Sequence, residues 1–376
     1  MPLKIKEVQS TSELKQFIAF YTRLYRGNQQ VAFPLHIDEM STLKSSKNPA
    51  HQFCQCKYWL AYRNNKVVGR IAAIINNKEQ EKTGVKIGRF GWFDFENDME
   101  ISSRLMETAL TWLGENESTQ VHGPMGFTDM DRQGMLIKGF EREGTMATLY
   151  NYAYYEQHMT NLGFYKGTDW VEYELQTDAQ AAEKMSLLAQ RSLQRNKLRS
   201  LKPKSTKELK EMAPEIFSLI NACYKDLYGY IALNKDQMDY YTQAYLNFVN
   251  LNLISLVADE SGKLVGVGIA MPSFTRALQK AKGKLFPRGA WNMLKALRKN
   301  DKLDLYLIAV DEQYQNKGAN AIIMSDIMNG AVKLGINWAE SNIELEDNKQ
   351  VQAMWRFLPN EQHKRRRCYI KDLNNE

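Results

Sequence analysis

The chain has 376 residues, enough for two or three domains of ordinary size, and its 44% hydrophobic and 25% charged content is that of a soluble globular protein. A net charge of +7 is a modest excess at this length; it suits an anionic ligand and demands no specific nucleic acid. No apolar run approaches the ~20 residues of a membrane-spanning helix, and the first residues lack the apolar core of a secretion signal. Of the four cysteines, Cys54, Cys56, Cys223 and Cys368, only Cys54-Gln55-Cys56 has a suggestive spacing and no second pair accompanies it, so reduced thiols in a cytoplasmic protein without a bound metal are expected.

Residues 8–25 predict an amphipathic helix, with Ser10, Thr11 and Ser12 as capping oxygens and Leu14, Phe17, Ile18, Tyr21 and Leu24 on one face. A second helical piece ends near Lys44. Residues 58–62 and 67–75 read as strands around the turn Asn64-Asn65-Lys66, and 87–95 as a third strand. Residues 100–113 form a helix, 120–123 a short strand, 135–145 a connection, 150–162 a helix ended by Gly163, and 170–175 an alternating strand. The glycine-rich stretch 123–129 reads equally as a groove lining and as turn chemistry. His122 reads as a base or, more simply, as a structural histidine.

A helical basic linker at 177–205 separates a first domain, 1–176, from a second, 206–376. Residues 208–227 and 235–249 read as helices, and 253–258 and 264–271 as strands flanking a turn at Gly262, so the opening order of the first half recurs. Residues 274–302 carry nine basic side chains against one acid, interleaved with Leu278, Leu285, Phe286, Trp291, Leu294 and Leu297. Three readings stay open there: peripheral contact with an anionic membrane, a cover over an anionic ligand, and a solvated helical pair packed by its apolar face. Residues 305–310 form a continuous apolar strand, 311–320 a polar loop, and a helix follows from Ala321. A loop entering a helix is suited to a phosphate. Residues 337–345 predict a strand, 351–357 a helix, and Tyr369-Ile370 a closing strand after the surface run Arg365-Arg366-Arg367.

Gln315-Asn316-Lys317-Gly318-Ala319-Asn320 resembles the Q/R-x-x-G-x-G/A loop with which the GCN5-related N-acetyltransferase (GNAT) superfamily cradles the pyrophosphate of acyl-coenzyme A. The element order of both halves and Leu162-Gly163-Phe164 extend the resemblance along the chain, and the combination of Val68-Gly69-Arg70-Ile71-Ala72, His122-Gly123-Pro124 and Glu346-Asp347-Asn348 resembles large bacterial tandem-domain proteins. It implies an α/β (α+β) chain of two tandem GNAT-like domains, each a mixed, mostly antiparallel sheet flanked by helices. The first would lack the phosphate loop, because Glu96-Asn97-Asp98-Met99 stands in its place.

The resemblance further implies an acyltransferase that uses acetyl-CoA or a longer acyl-CoA and a small-molecule amine or hydroxyl acceptor. Cofactor contacts are expected from Ile308 and Val310 on the strand, from Gln315, Asn316, Lys317, Gly318, Ala319 and Asn320 in the loop, and from Asn348. Glu344, Glu346 and Tyr228 are the expected catalytic set, with a carboxylate that deprotonates an ammonium. Trp355 stands where the family has a tyrosine that serves as general acid, and an indole has no proton to give. A β-branched residue at Gly318 is expected to abolish cofactor binding without unfolding. Two further readings are a non-catalytic ligand-binding protein on a decayed GNAT fold, and a membrane-surface enzyme that uses aminoacyl-tRNA or lipid.

Overall fold

A computed structural model describes residues 2–246 and 248–373. In chain order the first half contains β1 (Lys4–Glu7), α1 (Thr11–Leu24), α2 (His36–Leu43), β2 (Cys54–Arg63), β3 (Lys66–Asn76), α3 (Asn77–Thr83), β4 (Ile87–Phe95), α4 (Met99–Glu115), β5 (Gln120–Gly123), β6 (Met135–Lys138), α5 (Tyr154–Asn161) and β7 (Tyr165–Gln176). There follow α6 (Ala179–Asn196), β8 (Arg199–Leu201), α7 (Thr206–Glu211), α8 (Ala213–Tyr224), α9 (Lys235–Tyr245), β9 (Ile254–Ala258), β10 (Leu264–Pro272), α10 (Thr275–Ala281) and α11 (Arg288–Arg298). The chain closes with β11 (Lys302–Val310), α12 (Ala319–Lys333), β12 (Trp338–Glu340), β13 (Glu344–Leu345), α13 (Lys349–Gln352) and β14 (Asn360–Asp372).

Local chemistry accounts for many of these bounds. Ser10 and Glu13 form a capping box at the start of α1. Asn64 and Asn65 take φ of 52° and 61° in the β2–β3 hairpin, where asparagine tolerates the left-handed region. The expected helix 208–227 is two helices, because Pro214 starts a new one at its first turn. The expected connection 135–145 contains β6, a four-residue strand too short for its alternation to register.

The chain divides into two compact units, Met1–Trp170 with Thr275–Asn292 and Lys364–Glu376, and Val171–Phe274 with Met293–His363. The expected linker therefore belongs to the second unit, and the last strand returns to the first. In the first unit β1, β2, β3 and β4 pair antiparallel, β4 and β5 pair parallel, and β5 pairs antiparallel with β14. The second unit repeats the order: β8, β9, β10 and β11 antiparallel, β11 and β12 parallel, and β12 antiparallel with β7. Each half thus gives its last strand to the other unit, a long-range pairing that no local pattern encodes.

In the second unit α12 lies on β10, and its Ile323 comes so close that a Cβ at Gly268 would overlap it. Ile322, Ile323, Ile327 and Met328 join Val265, Leu303 and Leu305 in that core. In the first unit α4 places Ile101, Leu105, Met106 and Ala109 on Ile71, Phe90 and Phe95. The basic run of β14 is not a surface run: Arg366 is buried, and Arg365 Nη1 and Arg367 Nε donate to the buried carboxylate of Asp169 at 2.7 and 2.8 Å.

Arg70 and Asp94 form a buried ion pair at 2.8 Å in the first unit. Arg70 also donates to the Phe17 carbonyl at 2.9 Å, and the Tyr25 hydroxyl donates to Asp94 at 3.3 Å. Removing one partner would strand the other charge. Asp94→Ala is expected to lower stability by about 3–5 kcal/mol in chemical denaturation, and the joint replacement Arg70→Met/Asp94→Leu by clearly less.

Candidate functional site

The second unit's site is built where β11 and β12 part. Their parallel pairing covers Lys302, Leu303 and Asp304 against Trp338, Ala339 and Glu340. β11 then runs on to Val310, while the chain after β12 turns towards β7. Ser341 N donates to the Tyr173 carbonyl at 2.8 Å, and Ser341 Oγ accepts from Tyr173 N at 3.0 Å. Asn342 Nδ2 donates to the Tyr306 carbonyl at 3.0 Å, and the Tyr224 hydroxyl to that of Ile308 at 2.9 Å. The stretch of β11 that holds Ile308 therefore has an edge beyond the β12 pairing.

β11 feeds directly into the predicted loop. Asp311 caps a single turn at Glu312–Tyr314 and pairs with Lys263 at 2.9 Å. Gln315 Nε2 donates to the Val310 carbonyl at 3.4 Å, so Gln315 braces the loop against the strand. Asn316 and Gly318 have φ of 62° and 82°, which turns the chain into the first turn of α12 at Ala319 and Asn320. The N-cap of α12 is Gly318 itself, and among the described residues no side-chain cap bond is made there. The exposed Lys317 places its Nζ 5.1 Å from the centroid of the Tyr314 ring.

Helix α6 flanks this loop. Asn196 Nδ2 donates to the Lys317 carbonyl at 2.6 Å, and a Cβ at Gly318 would overlap the Ser192 side chain. Beyond the cofactor loss expected of it, a β-branched residue at Gly318 therefore also costs folding stability, which the sequence alone does not show. Gly318→Val, strained in φ and pressed against Ser192, is expected to destabilise the second unit by about 2 kcal/mol or more in chemical denaturation.

Glu344 is buried, and its two carboxyl oxygens share the single indole Nε1–H of Trp355, at 2.9 and 3.2 Å. Burial raises its carboxyl to about 8, assisted by the charge of Glu172 and opposed by hydrogen bonds from Trp355 and Ser341. Trp355 is itself core, and in place of a general acid it supplies a fixed donor to Glu344. On β12, Glu340 is fully buried, pairs with Lys302, and lies 3.4 Å from His363 Nε2. The sequence contains no local sign of this trio, whose members stand on three strands.

The other expected residues have different surroundings. Glu346 is half-buried, and its carbonyl accepts from Lys349 Nζ and Gln352 Nε2, each at 3.2 Å. Asn348 caps α13, its side-chain oxygen accepting from Val351 N at 3.3 Å. Tyr228 is half-buried in the loop after α8. His122, in the first unit, is buried beside Gln120 at 2.6 Å, and burial lowers it to about 4, so it is neutral at pH 7.

The equivalent place in the first unit is filled by the chain itself. β4 and β5 pair over Ile87, Gly88 and Arg89 against Gln120, Val121 and His122. Beyond that point Met125 N donates to the Phe90 carbonyl at 2.8 Å, and Phe95 N donates to the Tyr155 hydroxyl at 3.2 Å. The carboxylate of Asp98 caps α4 and is held at 2.6 Å by Arg63. An anion would meet a carboxylate where α12 offers backbone N–H groups.

The raised Glu344 carboxyl makes stability depend on pH. The unfolded chain releases this proton at the ordinary value and the folded chain at about 8. Folding is therefore progressively disfavoured as pH rises between the two, and the neutral variant escapes the penalty. Relative to the native chain, Glu344→Gln is expected to gain stability from pH 5 to pH 8 by a few kcal/mol. Denaturation curves at the two pH values would show it, and a pH-independent difference would exclude a raised carboxyl.

No protein-family model matches the chain. It is 24% identical over 376 residues to Protein YghO of Escherichia coli (strain K12), covering 98% of this chain and 95% of that one. It is 23% identical over 380 residues to a bacterial ceramide synthase of Caulobacter vibrioides, covering 99% and 98%. Among solved structures, a tandem GNAT protein from the clavulanic acid biosynthesis pathway superposes with a TM-score of 0.57 at 11% identity, covering all of both chains. A GCN5-related N-acetyltransferase from Sphaerobacter thermophilus gives 0.53 at 8% identity, over 98% of this chain and 95% of that one. With the same succession of four antiparallel strands, a parallel step and an antiparallel closing strand in each unit, the chain has the tandem GNAT fold.

Proposed function

We propose that the second unit transfers an acyl group from acyl-CoA to an amine. The observation that supports this most is the run from the outer edge of β11 into the left-handed turn at Gly318 and the uncapped start of α12. In this reading the backbone N–H groups of Gly318, Ala319 and Asn320, with Lys317, bind the pyrophosphate. The β11 segment from Ile308 to Val310 receives the thioester, and a backbone N–H there polarises its carbonyl.

Glu344 takes the proton of the acceptor's ammonium, for which a carboxyl near 8 is matched. The freed amine attacks the thioester carbon; as the tetrahedral intermediate collapses the C–S bond breaks, and the extra proton still on the nitrogen passes to the departing sulfur by way of water or the Tyr224 hydroxyl that stands at Ile308, so that CoA leaves as thiol. Glu346, Tyr228 and Asn348 border the acceptor side in this proposal. A long-chain amino alcohol is the first acceptor to try, because a ceramide synthase is among the relatives aligned over nearly the whole chain. A non-catalytic role on the same fold is favoured by one feature, the Trp355 indole in place of an acid.

Calorimetric titration with acetyl-CoA and then a long-chain acyl-CoA tests the cofactor. Binding is expected, and Lys317→Glu should weaken it about tenfold without altering thermal stability, since Lys317 is exposed. Unchanged affinity in that variant would exclude the α12 terminus, and binding with no CoA release in the presence of amines would favour the non-catalytic role.

A further inference from the structure

The segment from α10 to α11 contradicts the plain reading of a helical pair that packs its apolar face inward. α10 is held on the first unit, where Thr275 Oγ1 donates to the Gly144 carbonyl at 2.7 Å and His36 N donates to the Gly283 carbonyl at 2.9 Å. After it the usual arrangement inverts. α11 buries Gly289 and half-buries Ala290, Met293, Ala296 and Leu297. The large apolar side chains face out: Phe286 is 75% exposed, Trp291 71% and Leu294 54%. Trp291 and Leu294 are three residues apart and share one face of the helix. Arg288, Lys295 and Arg298, all exposed, border them on α11, and Lys280, Lys282 and Lys284 are exposed just before Phe286. Residues 275–299 carry eight basic side chains and no acid.

We propose that this segment is a docking surface for an anionic lipid bilayer. Exposed aromatic and leucine side chains insert at the headgroup boundary, while surrounding lysine and arginine side chains neutralise anionic headgroups. Charge selects this occupant. A second copy of the chain would bring the same eight cations face to face, and a neutral bilayer would leave them unmatched. Attachment is peripheral, because no helix among the described residues is long and apolar enough to cross a membrane. The proposal is independent of the acyl-transfer reading.

The test is co-sedimentation of the full chain with vesicles of phosphatidylcholine alone and of equal parts phosphatidylcholine and phosphatidylglycerol, at low and high salt. The protein is expected to pellet with the mixed vesicles, to stay in solution with phosphatidylcholine alone, and to be released by salt. Phe286→Ser/Trp291→Ser and Lys295→Glu/Arg298→Glu should each reduce partitioning about tenfold with an unchanged far-ultraviolet spectrum. Failure to pellet with the mixed vesicles would overturn the proposal, as would partitioning that neither pair alters. Self-association in sedimentation velocity that the Phe286/Trp291 variant abolishes would also overturn it, in favour of a second copy.

Discussion

Two parallel strand pairs, each registered over three residues before its strands part, are the constraint on which the rest of this structure depends. Parallel pairing requires a crossover, and α4 and α12 supply it on the two units. Beyond the parallel register the second strand leaves the first. After Glu340 the chain stays on β7, where Ser341 exchanges hydrogen bonds with Tyr173. After β5, the chain reaches Pro124, which has no N–H to continue a ladder, and Met125 turns back to Phe90. The parting of the strands thus opens a place beside β4 and β11, with Pro124 and the Ser341 hydroxyl steering the chain away.

Side chains then decide what each opening is for. In the first unit Tyr155 takes the N–H of Phe95, and Asp98 with Arg63 closes the start of α4. The same geometry in the second unit ends in a left-handed glycine and an uncapped helix. Burial of Glu344 beneath Trp355 adds a carboxyl near 8 to this unit. The start of α4 thus carries the carboxylate of Asp98, whereas among the described residues no side chain makes a cap bond at the start of α12.

Much of the fold was legible because it rests on local periodicity. β4 has the expected bounds, 87–95, since Ile87–Phe95 is flanked by polar breaks on both sides. α1 and α4 follow from their apolar faces and capping side chains, Ser10 and Asp98. The loop at 315–320 was visible through Gly318, whose φ of 82° is one that residues with a Cβ rarely adopt. The split of α7 from α8 at Pro214 and the short β6 were lost because a proline at a helix start and a four-residue strand leave weak patterns. Arg366 was read as surface because a run of three arginines looks solvated until Asp169 is brought beside it.

The sequence by itself determined the repeat of elements, the strand–loop–helix at 303–334, the acidic entry to α4 and the basic, aromatic character of 274–302, for each is carried by neighbouring residues. Only the tertiary structure decided that β7 and β14 pair in exchanged units, that Trp355 holds Glu344, that Ser192 stands over Gly318, and that Trp291 and Leu294 face outward. These depend on contacts between residues far apart in the chain, whose free energies lie in strand pairing and burial and are invisible to any local window.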